Sequence, residues 1–181
     1  DVTCFGDCDG TTTVTASSGT GPYTYSWNDP SNQSTATAAN LCPGTYNVTI
    51  TDDNGCTLDV PSTIGEPLQL QLSSSSVDAF CNTPSGSANV SIVSGGVAPF
   101  SYLWTPTSQT NSTASNLTPG SYDVTVTDAD GCAATSNATV GNIPPGTATI
   151  SNTTNTLCFG SCDGTATVSM GGTGTGPYTY E

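Results

Sequence analysis

The chain has 181 residues and carries 14 Asp and Glu but no Lys, Arg or His, a formal charge of −14. An average composition would put about a quarter of positions in charged residues. The missing cations exclude binding of nucleic acid, nucleotides or acidic lipid through basic side chains. The missing His and Lys exclude Ser/His/Asp and Cys/His catalysis, imidazole metal sites, Schiff bases and Lys-based isopeptide cross-links.

Composition taken alone points to disorder. Val, Ile, Leu and Phe make up only 29 of 181 residues, below the fifth or so that, with high net charge, marks unfolded chains. An internal repeat and eight Cys overturn that reading. Cys4 to Gly65 and Cys81 to Gly141 are one module written twice: Pro43-Gly44, Tyr46 and Cys56 recur 76 residues later as Pro119-Gly120, Tyr122 and Cys132. A third copy opens at Cys158-Phe-Gly-Ser-Cys-Asp-Gly164 and reaches Gly176-Pro-Tyr-Thr-Tyr180, which duplicates Gly21-Pro-Tyr-Thr-Tyr25. The predicted modules are residues 1–65 (its first strand incomplete), 66–142, and 143–181 (an N-terminal half).

In chain order, module 1 alternates with period 2, as half-buried strands do. Thr12, Val14 and Ala16 share a face, then Tyr23, Tyr25 and Trp27, then Tyr46, Val48 and Ile50. Pro22 and Pro99 lead into the aromatic strands. Leu41-Cys-Pro-Gly-Thr-Tyr46 has the form of a tyrosine corner, in which the hydroxyl bonds backbone upstream. Module 2 is expected to start with a strand bearing Leu68, Leu70 and Leu72. It then repeats the pattern with Ala88, Val90 and Ile92, with Phe100, Tyr102 and Trp104, and with Tyr122, Val124 and Val126. Module 3 answers with Ala166, Val168 and Met170. No segment has helical period, and Gly and Pro punctuate too often for one. The fold class is therefore all-β: tandem immunoglobulin-like β-sandwich modules of about 76 residues, stapled by disulfides and joined head to tail. Trp27, Trp104, Tyr46 and Tyr122 form the expected structural core. The short Pro-bearing junctions Gly65-Glu-Pro67 and Ile143-Pro-Pro-Gly146 suggest semi-rigid stacking.

Cysteines in a Thr-rich acidic chain point to an oxidising extracellular setting. Module 2 keeps only Cys81 and Cys132, the counterparts of Cys4 and Cys56. The expected bridges are accordingly Cys4–Cys56 and Cys81–Cys132. Cys8 and Cys42 are lost together and are expected to pair with each other. Cys158 and Cys162 are expected to pair with residues beyond Glu181, which would make this chain part of a longer polymer.

Other features carry weaker chemistry. Asp52-Asp53-Asn54-Gly55, Asp128-Ala-Asp130-Gly131 and Asp7-Cys-Asp9-Gly10 bring carboxylates together at strand ends and are preferred as hairpin turns. The second reading makes Asp52, Asp53, Asp128 and Asp130 weak Ca²⁺ ligands, although none of these segments fits an EF-hand loop. No cofactor is required otherwise. Seven sequons, at Asn32, Asn47, Asn89, Asn111, Asn116, Asn137 and Asn152, are candidate glycosylation sites. Only carboxylates remain for acid–base work, most of them in turns, so no enzyme is expected.

These motifs resemble the SprB-repeat family. The residues that carry the resemblance are the Cys-x-Gly-x-x-Asp-Gly opening, Gly21-Pro-Tyr-Thr-Tyr-Ser-Trp27 and Thr45-Tyr-Asn-Val-Thr-Ile-Thr-Asp52. The module tails are similar to those of PKD domains. The resemblance implies a very large bacterial cell-surface protein of many tandem modules, similar to gliding adhesins exported by the type IX route, with no catalytic residues to carry over. The expected function is that of a stalk or filament segment of an extracellular repeat adhesin. Its expected partners are further repeats of the same chain, then identical chains in a filament or surface glycans, with no nucleic acid and no membrane insertion. The rival readings are a glycan- or surface-binding module and spacer repeats of a secreted enzyme.

Overall fold

The computed structural model describes residues 1–155, 157–160, 162–172, 176, 177 and 179. All of its regular elements are strands: β1 (Gly10–Thr13), β2 (Thr24–Trp27), β3 (Thr37–Leu41), β4 (Gly44–Thr51), β5 (Thr57–Ile64), β6 (Gln71–Val77), β7 (Ala79–Phe80), β8 (Gly86–Ser94), β9 (Ser101–Thr105), β10 (Thr113–Leu117), β11 (Gly120–Thr127), β12 (Ala133–Val140), β13 (Asn142–Ile143), β14 (Thr147–Thr154) and β15 (Thr165–Gly171). The chain divides into two compact units. One comprises Asp1–Ser73, Ile92–Tyr102 and Thr125–Thr135, and the other Ser74–Ser91, Leu103–Val124 and Ser136–Glu181.

In the first unit β1 pairs with β3, and β2, β4 and β5 form a second antiparallel sheet. Both sheets contribute to one core of Val2, Trp27, Ala38, Leu41, Val48, Ile50 and Ile64, with Val14, Ala16, Tyr23, Tyr25 and Tyr46 packed against it. This is the sandwich that the period-2 pattern predicts, because alternate side chains of each strand point between the layers. Gly10 sits where any larger residue would collide: a Cβ there would lie 2.6 Å from Ile64 and 2.8 Å from the Leu41 carbonyl.

Strands β6 and β8 to β12 repeat the scheme in sheets of order β10-β8-β6 and β12-β11-β9. Trp104, Ala114, Leu117, Val124, Val126 and Val140 are fully enclosed. Strand β6 starts later than the leucine alternation suggests. Leu70 is buried just before it, Leu72 is half-buried within it, and Leu68 lies outside it and is 78% exposed. In the second unit β14 and β15 form an antiparallel pair, and β7 lies parallel to β13. Val168 is exposed and Met170 half-buried on β15. Tyr178, Tyr180 and Glu181 lie outside the described residues.

The repeat extends to hydrogen bonds. Gly65 N–H donates to Asp1 Oδ1 and Gly141 N–H to Asp78 Oδ1, each at 2.8 Å. Val2 N–H donates to the Gly65 carbonyl and Ala79 N–H to that of Gly141, each at 3.0 Å. Asn40 and Asn116, 76 residues apart, are both held at left-handed φ, 55° and 56°, a conformation that Asn tolerates better than most residues.

Candidate functional site

The tyrosine corners form as the Leu-x-Pro-Gly-x-Tyr spacing requires. Tyr46 Oη donates to the Cys42 carbonyl at 3.0 Å, and Tyr122 Oη to the Thr118 carbonyl at 2.8 Å. Tyr122 is buried and Tyr46 half-buried. Trp27 and Trp104 are enclosed, and their indole N–H groups donate to the carbonyls of Thr35 and Asn111, each at 2.9 Å. Trp27, Trp104 and Tyr122 therefore serve the core, with Tyr46 packed against it.

A brace that sequence reasoning missed lies beside each Trp. Gln33 accepts from Ala39 N–H and donates to the Ala39 carbonyl, and Gln109 does the same with Ser115. The recurrence of Gln at a spacing of 76 was its only signal. Asp29, buried next to Gln33, accepts from Ser31 N–H, Gln33 N–H and the Gln33 side chain. Burial pushes its carboxyl up, but these donors outweigh that and hold it below the ordinary range.

The acidic turns are closed on backbone. Asp52 Oδ1 accepts N–H bonds from Asn54 and Cys56, and Oδ2 accepts one from Thr20. Asp128 Oδ1 accepts from Asp130 and Cys132, and Oδ2 from Val97. The Thr20 and Cys56 donors lower the Asp52 carboxyl. Burial raises that of Asp128, and the Val97, Cys132 and Asp130 donors more than offset it. The role that emerges for Asp52 and Asp128 is the turn reading: each carboxylate fixes the loop that presents a cysteine. Among the described residues no three His, Cys, Asp or Glu side chains gather as a metal site, with Asp53 and Asp130 included in that search.

Of the seven sequons, Asn32, Asn47, Asn111, Asn116, Asn137 and Asn152 are exposed and Asn89 is half-buried. Two of their amides are already engaged. Asn89 donates to Thr113 Oγ1, and Asn137 donates to Ser121 Oγ and Asp123 Oδ1.

The cysteines correct the expected pairing. Cys4 is bonded to Cys132, with S–S 2.03 Å and Cα–Cα 5.5 Å, and Cys8 is bonded to Cys42. Cys56 and Cys81 are exposed free thiols, and Cys158 and Cys162 are also exposed. The bridges Cys4–Cys56 and Cys81–Cys132 do not form, and strand length is the reason. Cys4 follows Val2, which is tied to Gly65 at the end of β5, whereas Cys56 immediately precedes the start of β5. Eight residues of extended strand set the two ends roughly 25 Å apart, whereas a disulfide needs Cα atoms within about 7 Å. Cys81 and Cys132 are separated in the same way along β12, since Cys81 N–H bonds the Ile143 carbonyl beyond its far end.

The loop that carries Cys4 is built to present it. Gly6 at φ 82° turns the chain, its N–H reaches Glu66 Oε2 at 3.2 Å, and Thr3 N–H donates to Asp9 Oδ1 at 2.9 Å. Thr3 holds the Asp9 carboxyl below its ordinary range. Within the first unit this loop and the Asp128–Cys132 turn line one cleft of about 800 Å³, together with Leu70 and Val97.

Both copies of that loop fall where a known family matches. Residues 1–32 and 73–109 match the SprB repeat. The matched segments run from each opening cysteine loop through each Trp strand. The SprB repeat is a structural repeat and not a catalytic family, and it is associated with gliding-adhesin proteins of the cell surface. No curated protein matches the chain. No helix among the described residues is long and apolar enough to cross a membrane.

Proposed function

We propose that this chain is a stalk or filament segment of an extracellular SprB-repeat adhesin, in which head-to-tail modules carry a functional end away from the cell surface. The observation that carries this reading is the Cys4–Cys132 bond, which ties the opening loop of one SprB segment to the tail of the following sequence module. A covalent link between consecutive modules resists extension along the chain, the load that a stalk bears. The module boundaries at residues 65 and 142 belong to this reading. Its extracellular placement is supported by the two disulfides, which persist in oxidising compartments. An enclosed aromatic core and carboxylates spent on turns favour a load-bearing role over glycan capture.

Electron microscopy of material sheared from the surface of cells that express the protein tests the reading. Thin unbranched filaments with an axial period of one module, decorated by antibody to this chain, are expected. Antibody labelling confined to compact particles or to the cell interior would overturn it.

A further inference from the structure

The structure leaves two thiols whose counterparts in the neighbouring repeat are bonded. Cys56 is the module 1 counterpart of Cys132, and Cys81 is the module 2 counterpart of Cys4. The local geometry agrees pair by pair. Cys56 and Cys132 are each held by an N–H bond of 2.8 Å to Oδ1 of the Asp four residues earlier, and Asp52 and Asp128 each return an N–H bond of 3.0 Å to the cysteine carbonyl. Cys4 and Cys81 each follow the same Asp-plus-Gly clasp, Asp1 with Gly65 and Asp78 with Gly141.

We propose that the Cys4–Cys132 bond is one rung of a repeating ladder, in which the opening cysteine of each SprB module is bonded to the closing cysteine of the next. On that rule Cys56 accepts the opening cysteine of a further SprB module, and Cys81 bonds the closing cysteine of another. The inference rests on the head-to-tail reading above and deepens it.

A second observation, independent of the thiols, identifies the occupant. Beside Cys56 lies an open apolar cleft of about 440 Å³ walled by Val14, Ala16, Tyr23, Ile50 and Leu58. Leu58 is 63% exposed on its wall. The corresponding surface beside Cys132 faces the opening loop Thr3–Asp7 with its bonded Cys4. The cysteine ends of the two clefts correspond, with Gly19, Asp52, Cys56, Thr57 and Leu58 standing where Gly95, Asp128, Cys132, Ala133 and Ala134 meet the Thr3–Asp7 loop, whereas the Val14, Ala16 and Ile50 wall has its counterparts outside that cleft; an SprB opening loop is therefore the occupant that the cysteine end fits. Neither thiol can be satisfied inside its own module, because the opening and closing cysteines lie at opposite ends of β5 or β12.

The chemistry is a two-electron oxidation. Two Sγ–H groups lose two protons and two electrons as one S–S bond forms. A disulfide of an oxidoreductase or of oxidised glutathione accepts them by exchange and leaves as two thiols.

The test compares the 181-residue chain with a version in which residues 66–142 are inserted a second time after Asn142, the inserted copy carrying Thr83→Ser and Ala133→Ser so that its Cys81 and Cys132 peptides differ in mass from the original ones, both refolded with oxidised glutathione. Thiols are capped with iodoacetamide, and the unreduced proteins are cleaved with pepsin and an Asp-specific protease for mass spectrometry. In the parent chain the expected peptides are Cys4–Cys132 and Cys8–Cys42, with Cys56 and Cys81 capped. In the enlarged chain a peptide joining Cys81 to the inserted copy of Cys132 should appear, and capping of Cys81 should fall to background. Cys81→Ser in the enlarged chain should add one cap at the inserted copy of Cys132. Cys4–Cys56 or Cys81–Cys132 bridges in either protein, loss of the Cys4–Cys132 peptide, or a Cys81 still fully capped in the enlarged chain would each overturn the ladder. Filaments that image as expected but map to any of those patterns would sink the ladder and leave the stalk reading standing.

Discussion

Cys4 and Cys132 are bonded to one another across 128 residues of chain, although each has a cysteine of its own module closer in sequence. The bridge closes so long a loop that the chain-entropy model assigns it about 5 kcal/mol. Cys4→Ser is therefore expected to lower the urea midpoint of the oxidised protein by several kcal/mol equivalent. After full reduction, parent and variant should unfold together. A Cys4→Ser midpoint equal to that of the oxidised parent would show that the bond restrains nothing.

Acid should weaken the turns that present the cysteines. The folded-state carboxyls of Asp52 and Asp128 lie below the ordinary range, which is near 3.9 for an unfolded Asp. A depressed folded value means stability that is complete above the unfolded pKa and is lost as pH falls through the folded one. Urea unfolding followed from pH 7 down to pH 2 should show constant stability at the upper end and a decline that starts below about pH 4.

Asp128→Asn separates that effect from general acid expansion. An Asn carbonyl can still accept from Asp130 and Cys132, but its amide would confront the Val97 N–H that now donates to Oδ2 at 3.0 Å. Losing that part-buried bond should cost about 1 kcal/mol at neutral pH. The variant should also show a shallower acid limb than the parent in the same urea series. Unchanged stability at neutral pH would contradict the role given to Asp128.

The two tyrosine corners should differ in weight. Tyr122→Phe removes a buried 2.8 Å bond to the Thr118 carbonyl, at an expected cost near 1 kcal/mol. Tyr46→Phe removes its half-buried counterpart at 3.0 Å and should cost less, because water can replace the lost donor. Thermal unfolding of both variants checks the order.

Trp27→Ala and Trp104→Ala should each be far more damaging, at about 3–5 kcal/mol. Both rings are enclosed, and the Thr35 and Asn111 carbonyls would lose their indole donors. Loss of the cooperative unfolding transition is the expected readout for either variant.

Much of this molecule was legible in its residues. Period-2 alternation placed Val48 and Ile50, Val124 and Val126 on inward faces, and the Leu-x-Pro-Gly-x-Tyr spacing foretold both corner bonds. Those are local properties: a strand has only two faces, and a Tyr hydroxyl reaches only as far as its own turn. The late start of β6 and the Gln33 and Gln109 braces were not legible, because they depend on which backbone groups the neighbouring strands leave open.

The cysteines mark the boundary. By itself the sequence determined the all-β sandwich, the repeat of 76 residues and the pairing of Cys8 with Cys42 through their joint loss in module 2. Which sulfur Cys4 would find was decided only by tertiary structure. Repetition makes Cys4 and Cys56 look like partners in a list of spacings, yet β5 holds them a full strand length apart, and it is the Asp128–Cys132 turn that lies at Cys4 instead. Disulfide choice is a matter of distance in space, and an extended strand converts nearness in sequence into separation.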